Sequence, residues 1–270
     1  MIANARMYAV TAADAAYWRT LFAWVEAHAD VALEYDDHSP PRRLDALWRR
    51  ADLGCAFMCG YPWATWSDAL PRPVMLAGIV PSLPRYRDRS VYCTDIVVRA
   101  DSPVTSLDDL RGCRFAFTTP SSQSGYQAPR ALFANCADAG NPIFERTVGP
   151  LVTPRGVVDA VMSGDADAGP LDSYWHDLLR HHEPATAARL RTIASTPPTP
   201  MPPLVGAAGM VADDRRRLME ALVAAGDTVE LRETRAALLI ARIAAPDPAQ
   251  YAILAANAHH ADELGYKVLQ

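Results

Sequence analysis

The chain has 270 residues, of which half are hydrophobic and 21% are charged, and its formal net charge is -5 at pH 7. This composition is normal for a soluble globular protein that is long enough for one large domain or two lobes, and its acidic balance argues against a nucleic-acid partner. No apolar run reaches the roughly 18 residues that a membrane-spanning helix needs.

The start of the chain and its cysteines limit the location and the chemistry. Residues 1–10 lack a basic start followed by a long apolar run, which predicts a cytoplasmic location for the sequence as written, or a periplasmic one if a leader was removed.

The five cysteines lie among apolar neighbours, so reduced and mostly buried thiols are expected. Cys55 and Cys59 have no second pair at metal-ligand spacing, and we expect neither a metal nor a cofactor.

Strands alternate with helices along the chain, which is typical of an α/β protein with a parallel or mostly parallel sheet. The predicted strands cover residues 2–10, 31–35, 53–58, 74–80, 90–98, 114–118, 144–148, 166–171 and 190–194. The predicted helices cover residues 12–29, 44–50, 125–139, 154–162, a stretch through Trp175, 213–224, 229–243 and 249–265. Thr11 is expected to cap the first helix.

A loop of small hydroxyl and amide residues, 119–125, joins the predicted strand over 114–118 to the next helix. Such a loop leaves free backbone N–H groups at the helix start, beside the hydroxyls of Ser122 and Ser124. Together these donors predict a site for an anionic cluster of oxygens. A plain N-cap is the alternative for either serine alone, and the density of small polar residues favours the binding site.

Two segments, 92–99 and 196–205, are predicted to cross between two lobes. One lobe would consist of residues 1–95 plus 204–270, and the other of residues 96–203. Two α/β lobes joined by two crossings leave a cleft between them, where ligands bind preferentially and around which the lobes can close by a hinge motion.

Four short pieces of sequence resemble the type 2 periplasmic binding proteins and, within them, the phosphonate-binding family of ABC-transporter substrate-binding proteins. The pieces are Leu-Arg-Gly at 110–112, Ser-Gln-Ser-Gly at 122–125, Ser-Gly-Asp-Ala-Asp-Ala at 163–168 and Thr-Pro-Pro-Thr-Pro at 196–200. The resemblance implies a two-lobed type 2 fold, a small anionic ligand such as a phosphonate, a phosphate ester or a carboxylate, and an ABC permease as a partner. In that family the loop usually has Thr at the position of Gln123, and its hydroxyls and amides hold phosphonate oxygens.

The candidate ligand contacts combine the loop with residues that follow or end other predicted strands. They are Ser122, Gln123, Ser124, Gly125, Asp172, Tyr8, Cys59, Gly60, Tyr61, Tyr92 and Arg155. Ser122 and Ser124 would contact ligand oxygens, and the Gln123 amide can both donate and accept hydrogen bonds.

The other candidates each have a structural alternative. Arg155, at a helix start, could clamp a carboxylate or phosphate, or be an ordinary surface arginine. Asp172 could accept hydrogen bonds from a ligand and also cap the helix through Trp175. The three tyrosines, Tyr8, Tyr61 and Tyr92, could line the cleft or belong to the core. Cys59 and Gly60 could offer backbone N–H groups.

Two classes of function fit these features. The first is a non-catalytic binding protein, a monomer or weak dimer, and it is preferred because the residues present no catalytic arrangement. The second is a cytoplasmic enzyme on the same fold, resembling the futalosine-route menaquinone enzymes, which the missing signal peptide favours. A cytoplasmic ligand sensor is a third reading. Fold alone does not decide between them.

Overall fold

The computed structural model describes residues 1–40, 42–137 and 142–270. The strands are β1 (Ile2–Asn4), β2 (Glu34–Tyr35), β3 (Leu53–Phe57), β4 (Val74–Pro81), β5 (Val91–Tyr92), β6 (Thr94–Arg99), β7 (Arg114–Ala116), β8 (Arg146–Val148), β9 (Ala168–Asp172), β10 (Leu190–Ser195), β11 (Thr199–Pro200), β12 (Leu204–Gly206) and β13 (Ile240–Ala244). The helices are α1 (Ala12–Ala29), α2 (Leu44–Trp48), α3 (Gly60–Ala64), α4 (Ala128–Ala134), α5 (Pro154–Ser163), α6 (Ser173–His182), α7 (Pro184–Ala187), α8 (Ala212–Ala225), α9 (Arg232–Ala237) and α10 (Ala252–Glu263). A five-residue π-helix, Gln123–Gln127, leads into α4, and the predicted end of that helix at Ala139 lies outside the described residues.

The chain folds into two compact α/β units. Unit 1 consists of Met1–Val91 and Pro200–Gln250, and unit 2 of Tyr92–Thr199 and Tyr251–Gln270. The predicted division differs at the last twenty residues, which pack in unit 2 because α10 accepts hydrogen bonds from the buried Arg130 of α4.

Unit 1 contains a six-stranded sheet in the order β13-β4-β12-β3-β1-β2. Strand β1 runs parallel to both β2 and β3, whereas β12 is antiparallel to β3 and β4. Helix α1 begins where Thr11 and Asp14 form the expected capping box, and its buried face places Trp18 against Phe57 of β3, with the ring centroids 5.0 Å apart. This packing joins the first helix to the centre of the sheet.

Unit 2 contains a five-stranded sheet in the order β10-β6-β9-β7-β8. Strand β7 is parallel to both β8 and β9, and β6 is antiparallel to β9 and β10. Its core includes Phe115, Phe133 and Phe144, and the Phe115 ring lies 4.5 Å from Phe144 and 5.3 Å from Phe133 between centroids. These rings pack β7 against the helix that follows it.

The helix predicted over residues 229–243 is wrong. A 3₁₀ turn at Val229–Leu231 and α9 are followed by strand β13. Leu239 adopts a left-handed conformation with φ of 54°, which ends the helical stretch. Ile240 and Ile243 are then buried in β13 beside β4, where β-branched side chains pack well.

Several predicted strands are shorter in the structure, and one is interrupted. The strand predicted over 2–10 ends at Asn4, because the Asn4 side chain accepts the N–H of Arg6 (3.0 Å) and turns the chain. The strand predicted over 90–98 is divided into β5 and β6. Strands β5 and β11 pair as a small two-stranded sheet. Each of these strands contains a point at which the chain passes from one unit to the other.

The five cysteines are free thiols, with Cys55 and Cys59 buried and Cys136 exposed. Burial raises the pKa of the Cys55 thiol, so this side chain stays protonated. Over the described ranges, no group of three or more metal-ligating side chains is present. Among those same residues, no helix is both long and apolar enough to cross a bilayer.

Candidate ligand-binding site

Three parallel strands of unit 2 end at one edge of its sheet, and each leads to the start of a helix. The π-helix follows β7, α5 follows β8, and α6 follows β9. The first N–H groups of a helix lack partners within the helix, and its dipole makes this end favourable for negative charge. The edge therefore concentrates backbone donors suited to an anion.

The turn after β7 is built around Ser122. Its Oγ accepts the N–H of Gly125 (3.0 Å), and its carbonyl accepts the N–H of Gln127 (3.0 Å) in the wider π-helical pattern. Ser122 is thus an N-cap, the alternative that the sequence left open. A serine hydroxyl that accepts an N–H can still donate its own proton, so capping leaves Ser122 able to contact a ligand oxygen.

Gly125 is required at its position by the close approach of Thr118. A Cβ on Gly125 would lie 1.9 Å from Thr118 Oγ1, a distance that no side chain tolerates. The Thr118 N–H donates to the Gly125 carbonyl (3.2 Å), which holds the two residues together. The Thr118 hydroxyl itself is buried and has no hydrogen-bond partner among the described residues. Sequence reasoning did not single out Thr118.

Ser124 is half-buried and is fastened to the neighbouring strand by Thr94. The Thr94 hydroxyl donates to the Ser124 carbonyl (3.2 Å), while its backbone N–H donates to Thr196 Oγ1 (2.9 Å). Gln123, the residue before Ser124, is almost fully buried. Thr94 and Thr196 were not predicted as part of the site, because Thr94 meets Thr196 and the Ser124 carbonyl only after strands distant in sequence have paired.

Asp172 ends β9 and lies opposite Thr94 in the strand pairing. Its Oδ1 accepts hydrogen bonds from the N–H groups of Tyr174 (2.9 Å) and Trp175 (3.1 Å). Asp172 therefore caps α6, which was the structural role predicted for it as an alternative to ligand binding. Through Thr94, the structure brings Asp172 and Ser124 to the same edge of the unit 2 sheet.

Arg155 lies in the first turn of α5, where its guanidinium is engaged by a carboxylate of the protein. Nη2 and Nη1 donate to the two carboxylate oxygens of Glu183 at 2.7 and 3.1 Å, and the guanidinium carbon lies 5.7 Å from the centre of the Trp175 ring. The hydrogen bonds from Arg155 lower the pKa of Glu183. This two-point pairing occupies the geometry that a ligand clamp would need.

Below the edge, the buried Asp95 forms a polar cluster that the sequence did not reveal. One carboxylate oxygen accepts the Ser195 hydroxyl (2.6 Å), and the other lies 3.0 Å from His176 Nδ1. Asp95 is fully buried, and its partners belong to β10 and α6. The cluster ties three elements of unit 2 together beside Thr94.

The predicted residues of unit 1 lie at the carboxyl ends of β1 and β3, which are parallel neighbours. Tyr8 is buried, its ring packs edge-on against Phe57 with centroids 4.8 Å apart, and its carbonyl accepts the Trp18 indole N–H (3.1 Å). Cys59 precedes α3 and is buried, as is Gly60 at the first position of that helix. Tyr61, the next residue, is half-buried.

Tyr92 is a buried residue of β5, where unit 2 begins. The predicted residues thus form two sets. Ser122 to Gly125, Asp172 and Arg155 lie at the helix starts of unit 2, and Tyr8 and Cys59 to Tyr61 lie at the sheet edge of unit 1.

The sequence profile of a known family matches residues 66–251, more than half of the chain. Its description is "ABC transporter, phosphonate, periplasmic substrate-binding protein". The chain belongs to this family. The predicted resemblance is therefore confirmed, and so is the preference for a substrate-binding protein over an enzyme. As a class, the members of this phosphonate family are periplasmic binding proteins.

Solved structures support the α/β type 2 fold of this phosphonate-family protein. A binding protein component of an ABC phosphonate transporter from Pseudomonas aeruginosa superposes with a TM-score of 0.82 at 17% identity, covering 98% of this chain and 87% of that one. PhnD1 from Prochlorococcus marinus, in complex with methylphosphonate, gives 0.79 at 17% identity, covering 97% and 98%. The alkanesulfonate-binding protein SsuA from Xanthomonas axonopodis pv. citri, bound to MOPS, gives 0.62 at 16% identity, covering 99% and 94%. No curated protein matches the chain.

Proposed function

We propose that this protein binds a small tetrahedral oxyanion of the phosphonate class at the carboxyl edge of the unit 2 sheet. The single observation that carries the proposal is the turn at residues 122–125, where a serine-capped π-helix begins beside two further helix starts. Membership of the phosphonate family and the methylphosphonate bound to PhnD1 from Prochlorococcus marinus support the same ligand class.

Neutral donors would recognise the anion in unit 2. Arg155 is paired with Glu183, so its positive charge is already balanced. The neutral donors at this edge include the hydroxyls of Ser122 and Ser124 and backbone N–H groups of the turn, whereas the N–H groups of Tyr174 and Trp175 in α6 already donate to Asp172. Several N–H and O–H donors converging from different directions suit the three oxygens of a phosphonate better than the two coplanar oxygens of a carboxylate.

Calorimetric titration with methylphosphonate, inorganic phosphate, methanesulfonate and acetate tests the proposal. We expect methylphosphonate to bind and acetate to bind more weakly. In the variant Gly125→Ala, the added methyl must displace the turn from Thr118, and methylphosphonate affinity should fall by about tenfold or more.

Gly209→Ala is the matched control, because a Cβ on Gly209 in unit 1 meets no atom within 4 Å. This variant should bind methylphosphonate like the wild type. The proposal would be overturned if none of the four anions binds the wild type. It would also be overturned if folded Gly125→Ala binds methylphosphonate with wild-type affinity.

The family also supports a periplasmic location and an ABC permease as the partner that receives the ligand. Fractionation of cells that express the native gene tests the location. Recovery of the protein in the periplasmic fraction is the expected result, and recovery in the cytoplasm alone would favour the sensor or enzyme readings.

A further inference from the structure

A line of side-chain hydrogen bonds runs from the entry of the 122–125 turn to helix α10. The Gln127 amide donates from Nε2 to the Pro120 carbonyl (2.7 Å) and accepts at Oε1 from Arg130 Nε (3.1 Å). Gln127 and Arg130 are both buried. A buried amide whose N–H and carbonyl groups are both hydrogen-bonded is fixed in orientation. It therefore holds its two partners, here Pro120 and Arg130, at a set separation.

The guanidinium of Arg130 is held at its other end by α10 and the residues after it. Nη1 donates to Asp262 Oδ1 (2.7 Å) and to the Tyr266 carbonyl (2.8 Å), and Nη2 donates to the Ala258 carbonyl (2.8 Å). The arginine residue is only 3% exposed. Burying a guanidinium is unfavourable unless its donors are satisfied, and here the rigid planar group has acceptors on each nitrogen.

The turn contains a π-helix, a rare conformation that occurs mostly as a single turn, and side-chain hydrogen bonds support it here. Gln127 holds it twice, since its backbone N–H donates to the Ser122 carbonyl while its side chain donates to Pro120. A separate contact also holds the π-helix, because the hydroxyl of its residue Tyr126 accepts the N–H of Leu269 (3.0 Å).

We propose that Gln127 and Arg130 are positioning residues for the anion-binding turn, with residues 258–266 as their anchor. Neither side chain is expected to touch the ligand. Arg130 fixes the Gln127 amide, and this amide holds the backbone at Pro120, the entry to the turn that carries the Ser122 and Ser124 hydroxyls. The inference rests on the proposed binding of an anion by this turn.

Gln127→Glu is the sharpest test, because a carboxylate still accepts from Arg130 but cannot donate to the Pro120 carbonyl. We expect its affinity for methylphosphonate to fall by about five- to tenfold, while Tm stays within about 3 °C of the wild type. Gln127→Met removes both hydrogen bonds without adding charge, and should lose at least as much affinity.

Asn135→Asp is the matched control for the added negative charge. Asn135 follows α4 on the surface, where its amide donates to the Ala131 carbonyl, away from the turn. This variant should bind within about twofold of the wild type. Repeating the titrations at about 0.5 M salt screens charge effects, and the loss in Gln127→Glu should persist there.

Amide hydrogen exchange without ligand gives a second, independent measurement. Exchange at residues 122–125 should be faster in Gln127→Met than in the wild type, and unchanged in Asn135→Asp. This readout stands even if the wild type binds no methylphosphonate, in which case the proposed function fails and the positioning role is still tested.

Wild-type affinity in both Gln127 variants, with wild-type exchange at the turn, would overturn the inference while leaving the proposed function intact. A large Tm loss in Gln127→Glu would also contradict it, because the pair would then support the whole unit rather than the turn.

Discussion

The two units share a plan of parallel strands that end at helix starts, yet the chemistry of their sheet edges differs. In unit 1, the ends of β1 and β3 carry aromatic packing between Tyr8, Phe57 and Trp18, and α3 has only five residues. In unit 2, the corresponding edge carries the serine-capped turn and the starts of α5 and α6. The comparison contrasts an edge of hydroxyl and backbone groups in unit 2 with an edge of mainly aromatic packing in unit 1.

Each unit also buries a carboxylate completely, and the two are satisfied in different ways. Asp14 in unit 1 accepts the backbone N–H groups of Val10 (2.8 Å) and Thr11 (2.7 Å), its close neighbours in sequence. Asp95 in unit 2 relies on the side chains of Ser195 and His176, which are 100 and 81 residues away. A local network forms with its helix, whereas a distant one requires the whole unit to be folded.

The largest effect is expected from Asp95→Ala in unit 2. The substitution leaves the buried His176 ring nitrogen without its acceptor and removes the acceptor of the exposed Ser195 hydroxyl, which should reduce the free energy of unfolding by about 3 kcal/mol. Denaturant unfolding measures this loss. Hydrogen exchange should place the weakened protection in β6, β10 and α6. A loss below about 1 kcal/mol would show that the cluster contributes little.

The counterpart in unit 1 is Asp14→Ala, which removes the capping box of α1. We expect a smaller loss of about 1–2 kcal/mol, because two N–H groups lose an acceptor at a helix end that water can reach after local fraying. Methylphosphonate affinity should be unchanged. A loss in the free energy of unfolding greater than that of Asp95→Ala would reverse the contrast between the units.

The smallest effect is expected from Glu183→Gln, which weakens the pair with Arg155. Both side chains are about one-third exposed, so solvent screening limits the loss to about 0.5 kcal/mol at pH 7. The folded-state pKa of Glu183 lies below its ordinary value of 4.5, so its contribution is present above pH 4.5 and disappears as the pH falls through the lowered pKa.

Thermal unfolding of the wild type and Glu183→Gln between pH 3 and pH 7 tests this predicted pH dependence. The Tm values of the two proteins should converge toward pH 3. A difference that grows on acidification would mean that Glu183 does not act as a carboxylate paired with Arg155.

Local sequence signals predicted the features that close neighbours determine. Thr11 caps α1 because its partner Asp14 is three residues away, and Ser122 caps the π-helix through Gly125, also three residues away. The alternation of strands and helices predicted the α/β class, and the family resemblance supplied the type 2 fold. Strand β13 was mistaken for a helix because Ile240 and Ile243 pair with β4, a strand about 160 residues earlier in the chain. The spacing of apolar residues in the sequence gives no signal of such a distant partner.

The remaining parts of the site depend on contacts that no local pattern contains. Arg155 finds Glu183 after 28 residues, and Thr94 reaches the Ser124 carbonyl after 30. Arg130 meets α10 more than 120 residues later, which is why residues 251–270 were expected in the other unit. Such partners are selected by the folded arrangement of the strands and helices rather than by neighbours in the chain.

The central claim, that the unit 2 edge binds the anion, is tested most directly by mapping methylphosphonate on the ¹⁵N-labelled protein by amide chemical shifts. The account predicts saturable shifts at residues 122–125, with further shifts at the starts of α5 and α6. Saturable binding that leaves the amides of residues 122–125 unmoved would contradict it.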